Sequence, residues 1–235
     1  MMLRIKKDRI CKYPQKYYSH IAFLSIAILL LPSFLFAHTI NYALEQAPAK
    51  DVAWYYLKLG FQHIIPSGPD HILFVISLCL LSTKISTIIW QASAFTVAHT
   101  ITLALSMKNI IVAPPDLVEP IIALSICFVA VENLLITKLK AWRVIIVFLF
   151  GLIHGMGFAS ALNEIGLPRN KFYTSVFSFN VGVELGQITI IVLVFALLIN
   201  RFGKKEWYRK SIVYPLSGII AIIAAWWTIQ RVFFL

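Results

Sequence analysis

Six apolar segments follow one another along this chain, and each is close to the length that crosses a lipid bilayer. They cover approximately residues 54–82, 86–106, 115–137, 143–162, 173–199 and 211–233. About 20 apolar residues in a helix span a hydrocarbon core, and a helix satisfies its own backbone hydrogen bonds there. The pattern predicts an all-α integral membrane protein: a six-helix transmembrane bundle whose single polytopic domain covers residues 38–235.

The N-terminus has the organisation of a secretory signal peptide. Basic residues up to Lys16 precede an apolar run at residues 21–31, and Ala37 offers a small side chain at a cleavage position. This order predicts residues 1–37 as a signal peptide that is removed after Ala37. A retained anchor helix is the alternative.

The basic residues are distributed unequally between the loops on the two sides of the membrane. The net charge of +11 does not indicate a nucleic-acid partner, because most Lys and Arg lie in the leader and in short loops. With alternating spans, one side holds Lys84, Lys138, Lys140, Arg143, Arg201, Lys204, Lys205, Arg209 and Lys210, and the other holds Lys108, Arg169 and Lys171. Positive loops face the cytoplasm. We therefore predict a multi-pass protein of the bacterial inner membrane with the mature N-terminus and the C-terminus outside.

The first apolar segment contains a helix-breaking run, Pro66-Ser-Gly-Pro69. We expect a broken span there, with one half-helix on each side of residues 66–69. Non-helical backbone at membrane depth is tolerated only where protein or a wet cavity satisfies it. Discontinuous helices of this kind mark substrate sites in transporters.

Ionisable side chains of several segments fall at similar depths. At a rise of 1.5 Å per residue, the outer half of the membrane receives Asp70, His71, His99, His154 and Glu184, with Glu119 at the mouth of the third segment. His63, in the first apolar segment, is a further candidate metal ligand. A charged side chain at mid-bilayer costs about 2.5–3.5 kcal/mol, so such groups are functional candidates. Further polar residues that could belong to a proton or ion pathway are Glu132, Asn133, Asn180 and Gln187.

Neutral imidazole and carboxylate together form the ligand set of borderline divalent metals. We expect His71, His99 and His154 to supply nitrogens, and Asp70 and Glu184 to bind the metal or orient its ligands. Each residue also has a simpler interpretation. A lone histidine can hydrogen-bond within a helix interface, Asp70 can complement a helix N-terminus, and Glu119 can be a solvated acid.

Several of these residues lie in motifs that resemble the HupE/UreJ family, bacterial membrane proteins associated with hydrogenase and urease maturation. The similar stretches are His63-Ile-Ile-Pro-Ser-Gly-Pro-Asp70-His71, Phe95-Thr-Val-Ala-His99, Val131-Glu-Asn133, Phe150-Gly-Leu-Ile-His154-Gly-Met-Gly and Phe179-Asn-Val-Gly-Val-Glu184-Leu-Gly-Gln187. The resemblance runs from about residue 51 to residue 200 and implies a signal peptide, six spans and permeation of nickel or cobalt.

The resemblance also assigns a histidine–aspartate–histidine signature to His63, Asp70 and His71. The second signature of nickel permeases, two histidines and a glutamate close together, is not present in that form. Here His154 is followed by Gly-Met-Gly, and Glu184 lies on the next predicted helix. The chain therefore looks like the divergent HupE/UreJ-like branch.

Residues and resemblance together favour a permease for a divalent transition metal, with nickel first and cobalt, zinc or copper as alternatives. A metal-dependent enzyme is a second hypothesis, since three histidines with an open position and a nearby Glu can activate water or dioxygen. A third is a non-transporting accessory protein that works with metalloenzyme maturation proteins. The sequence leaves these three open.

Overall fold

The computed structural model describes residues 43–137 and 139–234, without the side chains of residues 160, 163 and 164. The predicted signal peptide, residues 1–37, lies outside this part of the chain. Regular structure within the described ranges is helical, and the main helices are α1 Ala49–Ile64, α2 Pro69–Leu80, α3 Ile85–Met107, α4 Pro115–Leu135, α5 Arg143–Ile165, α6 Phe172–Val194 and α7 Tyr214–Phe233.

Two of these helices are extended by tighter or wider turns. A 3-10 turn precedes α6 and a π turn follows it, so that Arg169–Phe202 is helical over 34 residues. A second π turn precedes α7 and gives the helical segment Arg209–Phe233. These two segments, α3 and α4 are long and apolar enough to span a bilayer, and α1 with α2 forms a fifth, bent candidate. The apolar stretch of α5, Arg143–Ala159, is shorter.

The predicted break in the first span is confirmed. Helix α1 ends at Ile64 and α2 starts at Pro69, and the two axes are bent by 69°. Gly68 is the N-cap of α2, Pro69 occupies the first position and Asp70 lies in the first turn. Proline is well tolerated at that position, because its missing N–H would have no partner inside the helix.

The short helix α2 lies in the centre of the bundle. Around it the other helices pack mainly as three pairs, α3 with α5, α1 with α6, and α4 with α7. Helix α2 itself contacts α3, α4, α6 and α7, and none of its side chains from His71 to Leu80 is exposed. Its polar first turn is thereby held inside protein.

Glycines allow two of these pairs to approach closely. A Cβ atom at Gly60 or Gly182 would collide with backbone across the α1–α6 contact. On α5, a Cβ at Gly151 or Gly155 would collide with the carbonyl oxygens of Phe95 and His99 on α3. In lipid no hydrophobic driving force holds helices together, so they associate through close packing, which small residues at the contact allow. The glycines on either side of His154 therefore allow α5 to pack closely against α3.

Helices α3 and α6 run antiparallel. Lys108, just after the end of α3, contacts Tyr173 at the start of α6, whereas Ser93 in the first half of α3 contacts Glu184 farther along α6. The end of the bundle with Ser67, Glu119 and Arg231 is called the Glu119 end below. The end with Glu132, Arg143 and Arg209 is called the Arg143 end.

Candidate metal centre

Three histidines from three helices meet next to the break. His63 lies in the last turn of α1, His71 in the first turn of α2, and His99 in the middle of α3. The ring centroids of His63 and His71 are 4.7 Å apart, and each lies 6.1–6.2 Å from that of His99. One ring nitrogen of each can be chosen so that all three lie within 4.8 Å of one another.

This spacing is wider than a bound metal needs. Imidazole binds a metal such as zinc at about 2.1 Å, so two ligand nitrogens of a tetrahedral ion are about 3.4 Å apart. Ring movements that bring the three nitrogens closer together would complete a three-nitrogen site. The Nε2 atoms of His63, His71 and His99 are buried, and none has a hydrogen-bond partner among the described residues. Buried polar atoms are usually paired, so histidines that each leave a ring nitrogen unpaired make this cluster a candidate ligand site.

A hydrogen bond to α6 fixes the tautomer of His99. Asn180 donates from Nδ2 to the backbone oxygen of Val176 at 2.8 Å, which leaves its Oδ1 to accept. The Nδ1 of His99 lies 3.1 Å from that oxygen and therefore carries the ring proton. The lone pair is then on Nε2, which is buried and has no described partner. Metal-binding histidines are commonly oriented in this way.

His154 stands beside this cluster in a similar arrangement. Its ring centroid is 5.2 Å from that of His71, but its nitrogens are not within the 4.8 Å group. Ser125 donates its hydroxyl proton to the backbone oxygen of Ile122 at 2.7 Å and so accepts from the Nε2 of His154 at 3.0 Å. The Nδ1 of His154 is left buried, again without a described partner. His154 is thus a fourth imidazole within reach of a small rearrangement.

A cavity connects the histidines with the Glu119 end. Its volume is about 170 Å³, enough for several waters or a partly hydrated ion. Its lining combines imidazoles, two carboxylates and one guanidinium, contributed by His63, Ser67, Gly68, Asp70, His71, Glu119, Ile122, His154, Gly157, Phe158 and Arg231. The structure therefore brings Asp70 and Glu119 into the same cavity as the histidines.

Both carboxylates are engaged by Arg231, near the end of α7. Its Nη2 donates to both oxygens of Asp70 at 3.0 and 2.9 Å. Its Nε is 3.9 Å from a carboxylate oxygen of Glu119, and its Nη1 donates to the backbone oxygen of Glu119 at 3.2 Å. Asp70 lies in the first turn of α2, the position that its simpler interpretation requires, and its charge is also paired with this arginine.

Glu132 and Asn133 form a separate buried cluster near the Arg143 end. The Nη1 of Arg143 is 3.3 Å from Glu132, and these side chains are only 1% and 6% exposed. Asn133 accepts from both terminal nitrogens of Arg143 at 3.3 Å and donates to the backbone oxygen of Ser77 on α2. The interpretation of Arg143 as a loop charge was wrong, because its side chain is buried against Glu132.

Glu184 and Gln187 lie away from the histidine cavity. Glu184 accepts a 2.6 Å hydrogen bond from Ser93 and lines an outward groove between α3 and α6. Gln187 is buried and lies 3.4 Å from the hydroxyl of Thr96. The structure therefore does not bring the Glu184 carboxylate to the three-histidine cluster. Asn180 connects the two regions, since it lines the groove and contacts His99.

Comparison with known proteins gives one family. The family model described as "HupE / UreJ protein" matches residues 38–231. The chain belongs to the HupE/UreJ family. No curated protein and no solved structure gives a significant match. The matched region of this family member contains the break, all four histidines and Arg231, and its long apolar helices indicate a multi-pass membrane protein.

Sequence analysis of this HupE/UreJ protein missed two arginines and an aromatic layer. Arg143 and Arg231 each lie at the end of an apolar segment, where a charge normally reaches back to the interface. The aromatic layer consists of Phe74, Phe95 and Phe150, with ring centroids 5.1 and 6.3 Å from Phe74. Each is one helical turn from a histidine on its own helix, at positions 71, 99 and 154. That spacing was the sequence signal from which the aromatic layer could have been predicted.

Proposed function

We propose that this HupE/UreJ protein is a permease for a divalent transition metal, and that His63, His71 and His99 form its transient binding site. The observation that carries the proposal is a group of three histidines that can each offer a ring nitrogen within 4.8 Å of the others. Each of the three also has a buried Nε2 without a described partner. Nickel is the expected substrate, with cobalt as the next candidate, because the ligands are nitrogen-rich and the family resemblance implies these ions. Zinc and copper are compatible with the same donors.

The surroundings of the site support movement of an ion rather than permanent storage. A cavity leads to the histidines from the Glu119 end, and Asp70 and Glu119 supply negative charge along it. Beyond the histidines, the aromatic layer of Phe74, Phe95 and Phe150 separates them from the Glu132–Arg143 pair. We propose that the ion is bound from the Glu119 end and released towards the Arg143 end after this layer moves.

The direction of transport follows from the predicted orientation. The Arg143 end includes Arg209, and the adjoining segment carries Arg201, Lys204, Lys205 and Lys210. By the positive-inside rule this end faces the cytoplasm. We therefore propose inward transport across a bacterial inner membrane, with six spans and both mature termini outside.

The test is nickel flux into proteoliposomes that contain the purified full chain. Wild type should accumulate nickel, and a His63→Ala, His71→Ala, His99→Ala variant should lose both uptake and nickel binding. Gln62→Ala is the matched control, because Gln62 is an exposed neighbour of His63 on α1. Uptake should also weaken as the pH falls, since protons compete for the imidazole lone pairs.

The same assay separates the alternatives. Nickel that is bound at the histidines but never released across the bilayer would contradict a permease and favour a metal-dependent enzyme or an accessory protein. Unchanged metal stoichiometry in the triple variant would overturn the assignment of the site. Metal analysis of protein purified without added metal, with cobalt, zinc and copper competitions, would identify the preferred ion.

A further inference from the structure

A positively charged side chain stands at the mouth of the cavity that leads to the histidines. Arg231 lines this cavity with Ser67, Asp70 and Glu119, between the Glu119 end and the imidazoles. Its side chain is 18% exposed and the Asp70 side chain 22%, so the pair is only partly shielded from solvent. A cation that approaches through the cavity therefore meets a guanidinium before it meets a nitrogen ligand.

The contacts hold this guanidinium at a carboxylate that a metal could otherwise use. Nη2 reaches both oxygens of Asp70, while Nη1 and Nε contact the backbone and the carboxylate of Glu119. The ring of Trp227, one turn back on α7, lies 5.6 Å below the guanidinium carbon. A planar arginine fork suits such divided contacts, which a lysine ammonium cannot reproduce.

The formal charge of the cavity mouth depends on Arg231. Two carboxylates face one guanidinium, so the mouth has a formal charge of −1 with Arg231 in place and −2 with Arg231 removed. Divalent cations are attracted more strongly to the second state. Arg231 and an incoming metal ion thus compete for the same negative charge.

We propose that Arg231 is a tethered counter-cation that occupies Asp70 and restricts access of divalent metals to the histidine site until an ion displaces it. This inference rests on the proposed metal binding, and it makes Arg231 a specificity-determining residue. The arginine leaves Asp70 only for a cation that binds the histidines tightly enough to replace it. Ions that bind imidazole poorly are held back at the mouth.

The first experiment measures equilibrium nickel binding to the purified full chain in lipid nanodiscs. Arg231→Gln should lower the Kd for nickel about three- to tenfold, because the competing charge is gone. Arg231→Lys, which keeps the charge without the fork, should give a smaller decrease. Arg169→Gln is the matched control: Arg169 is exposed, and no ion pair to it is found within the described ranges.

The second experiment needs no metal. Ser67 is exposed and lines the cavity mouth, so Ser67→Cys is introduced after the native Cys11, Cys79 and Cys127 have been replaced by alanine. Cationic and anionic methanethiosulfonates of similar size are then compared. With Arg231→Gln the rate ratio of cationic to anionic reagent should rise at least about threefold, and with Arg169→Gln it should stay the same.

Each outcome has a defined meaning. If wild type binds nickel and Arg231→Gln changes neither Kd nor the reagent ratio, the counter-cation role is wrong while the proposed function stands. A lower melting temperature with an unchanged ratio would make Arg231 a structural link between α7 and α2 only. If no variant binds nickel, the proposed function fails and this inference fails with it. Should Arg231→Gln not fold, Arg231→Lys decides between the same outcomes.

Discussion

Asn180 shows how a neutral residue can prepare a metal ligand. It contacts only one of the three clustered histidines, yet it determines which nitrogen of His99 carries the proton. Its own orientation is fixed by its hydrogen bond to Val176, so the arrangement exists before any ion arrives. A ligand held in the correct tautomer does not have to rearrange on binding.

Replacing Asn180 with alanine should therefore weaken nickel binding about tenfold or more without removing a ligand atom. The His99 ring would be free to rotate or to change tautomer. Titration of nickel into the purified variant measures the effect. Asn170→Ala is the control, because Asn170 is exposed and its side-chain hydrogen bonds within the described part of the chain are to residues 45 and 171. Equal affinity in the two variants would contradict the orienting role.

The members of the histidine cluster could be predicted only in part from the sequence. The sequence analysis favoured His71, His99 and His154 as the nitrogen donors, whereas His63 rather than His154 completes the tightest group. The reason is the 69° bend, which brings the end of α1 close to the start of α2. A bend angle depends on tertiary packing, so the spacing of residues 63 and 71 alone could not give it.

At the scale of helices, the α3–α5 contact sets the position of His154. A Cβ at Gly155 would meet the carbonyl oxygen of His99 and the hydroxyl of Thr102. Helix α5 would have to move away from α3, and His154 would move with it. The distance between α3 and α5 therefore affects the position of His154 in the site.

Gly155→Ala should accordingly cost about 1–3 kcal/mol through overpacking and should also weaken nickel binding. Thermal unfolding in detergent and nickel titration measure the two effects. Gly218→Ala on α7 is the matched control, because a Cβ there would have no described atom within 4 Å apart from its own stretch of helix backbone. That variant should unfold at or above the wild-type temperature. A loss of stability shared by both variants would argue against a specific α3–α5 contact.

The break between α1 and α2 depends most on Gly68. A Cβ at this N-cap would collide with the carbonyl oxygen of His63. Replacing Pro66, Gly68 and Pro69 with alanine together should leave expression near normal and strongly reduce nickel uptake, with Gly68→Ala alone giving most of the loss. Pro69→Ala is the control, since Pro69 is exposed at the first position of α2. Wild-type uptake by the triple variant would make the break a packing feature only.

The element level was the most predictable part of the chain. Apolar length and the Pro-Ser-Gly-Pro run located the helices and the broken span to within a few residues, because both signals are local. The partners of the two missed arginines were not predictable. Arg143 meets Glu132 across the contact of α4 with α5, and Arg231 meets Asp70 across 161 residues. No local sequence pattern predicts which side chains form such ion pairs.

For the whole molecule, the Glu132–Arg143 pair closes the bundle at the end opposite the cavity. Glu132→Gln would leave a buried guanidinium without its carboxylate and should destabilise the protein by about 3–5 kcal/mol. The shift in thermal unfolding midpoint measures this. The double variant Glu132→Gln, Arg143→Leu should recover much of the loss, since no unpaired charge remains. If the double variant is as unstable as the single one, the ion pair is not the cause.

Helix α7 differs from the other helices in how little of it is covered. Its buried side chains are Ser217, Ile220 and Ala224, while Ile219, Ile222, Trp226, Ile229, Val232 and Phe233 are exposed on the outside of the bundle. In a membrane this surface is in contact with lipid acyl chains. Such a helix can respond to a change in bilayer thickness by changing its tilt. The central helix α2 has no such contact.

Bilayer thickness should therefore affect access and binding differently. Liposomes of short or long monounsaturated lipids would change the tilt of α7 and displace Arg231 relative to Asp70, while the buried histidines stay where they are. Nickel uptake rates should vary with acyl-chain length, and the equilibrium Kd should change by no more than the three- to tenfold expected for Arg231→Gln. The lipid composition of the host membrane then becomes a determinant of how fast this protein takes up its metal.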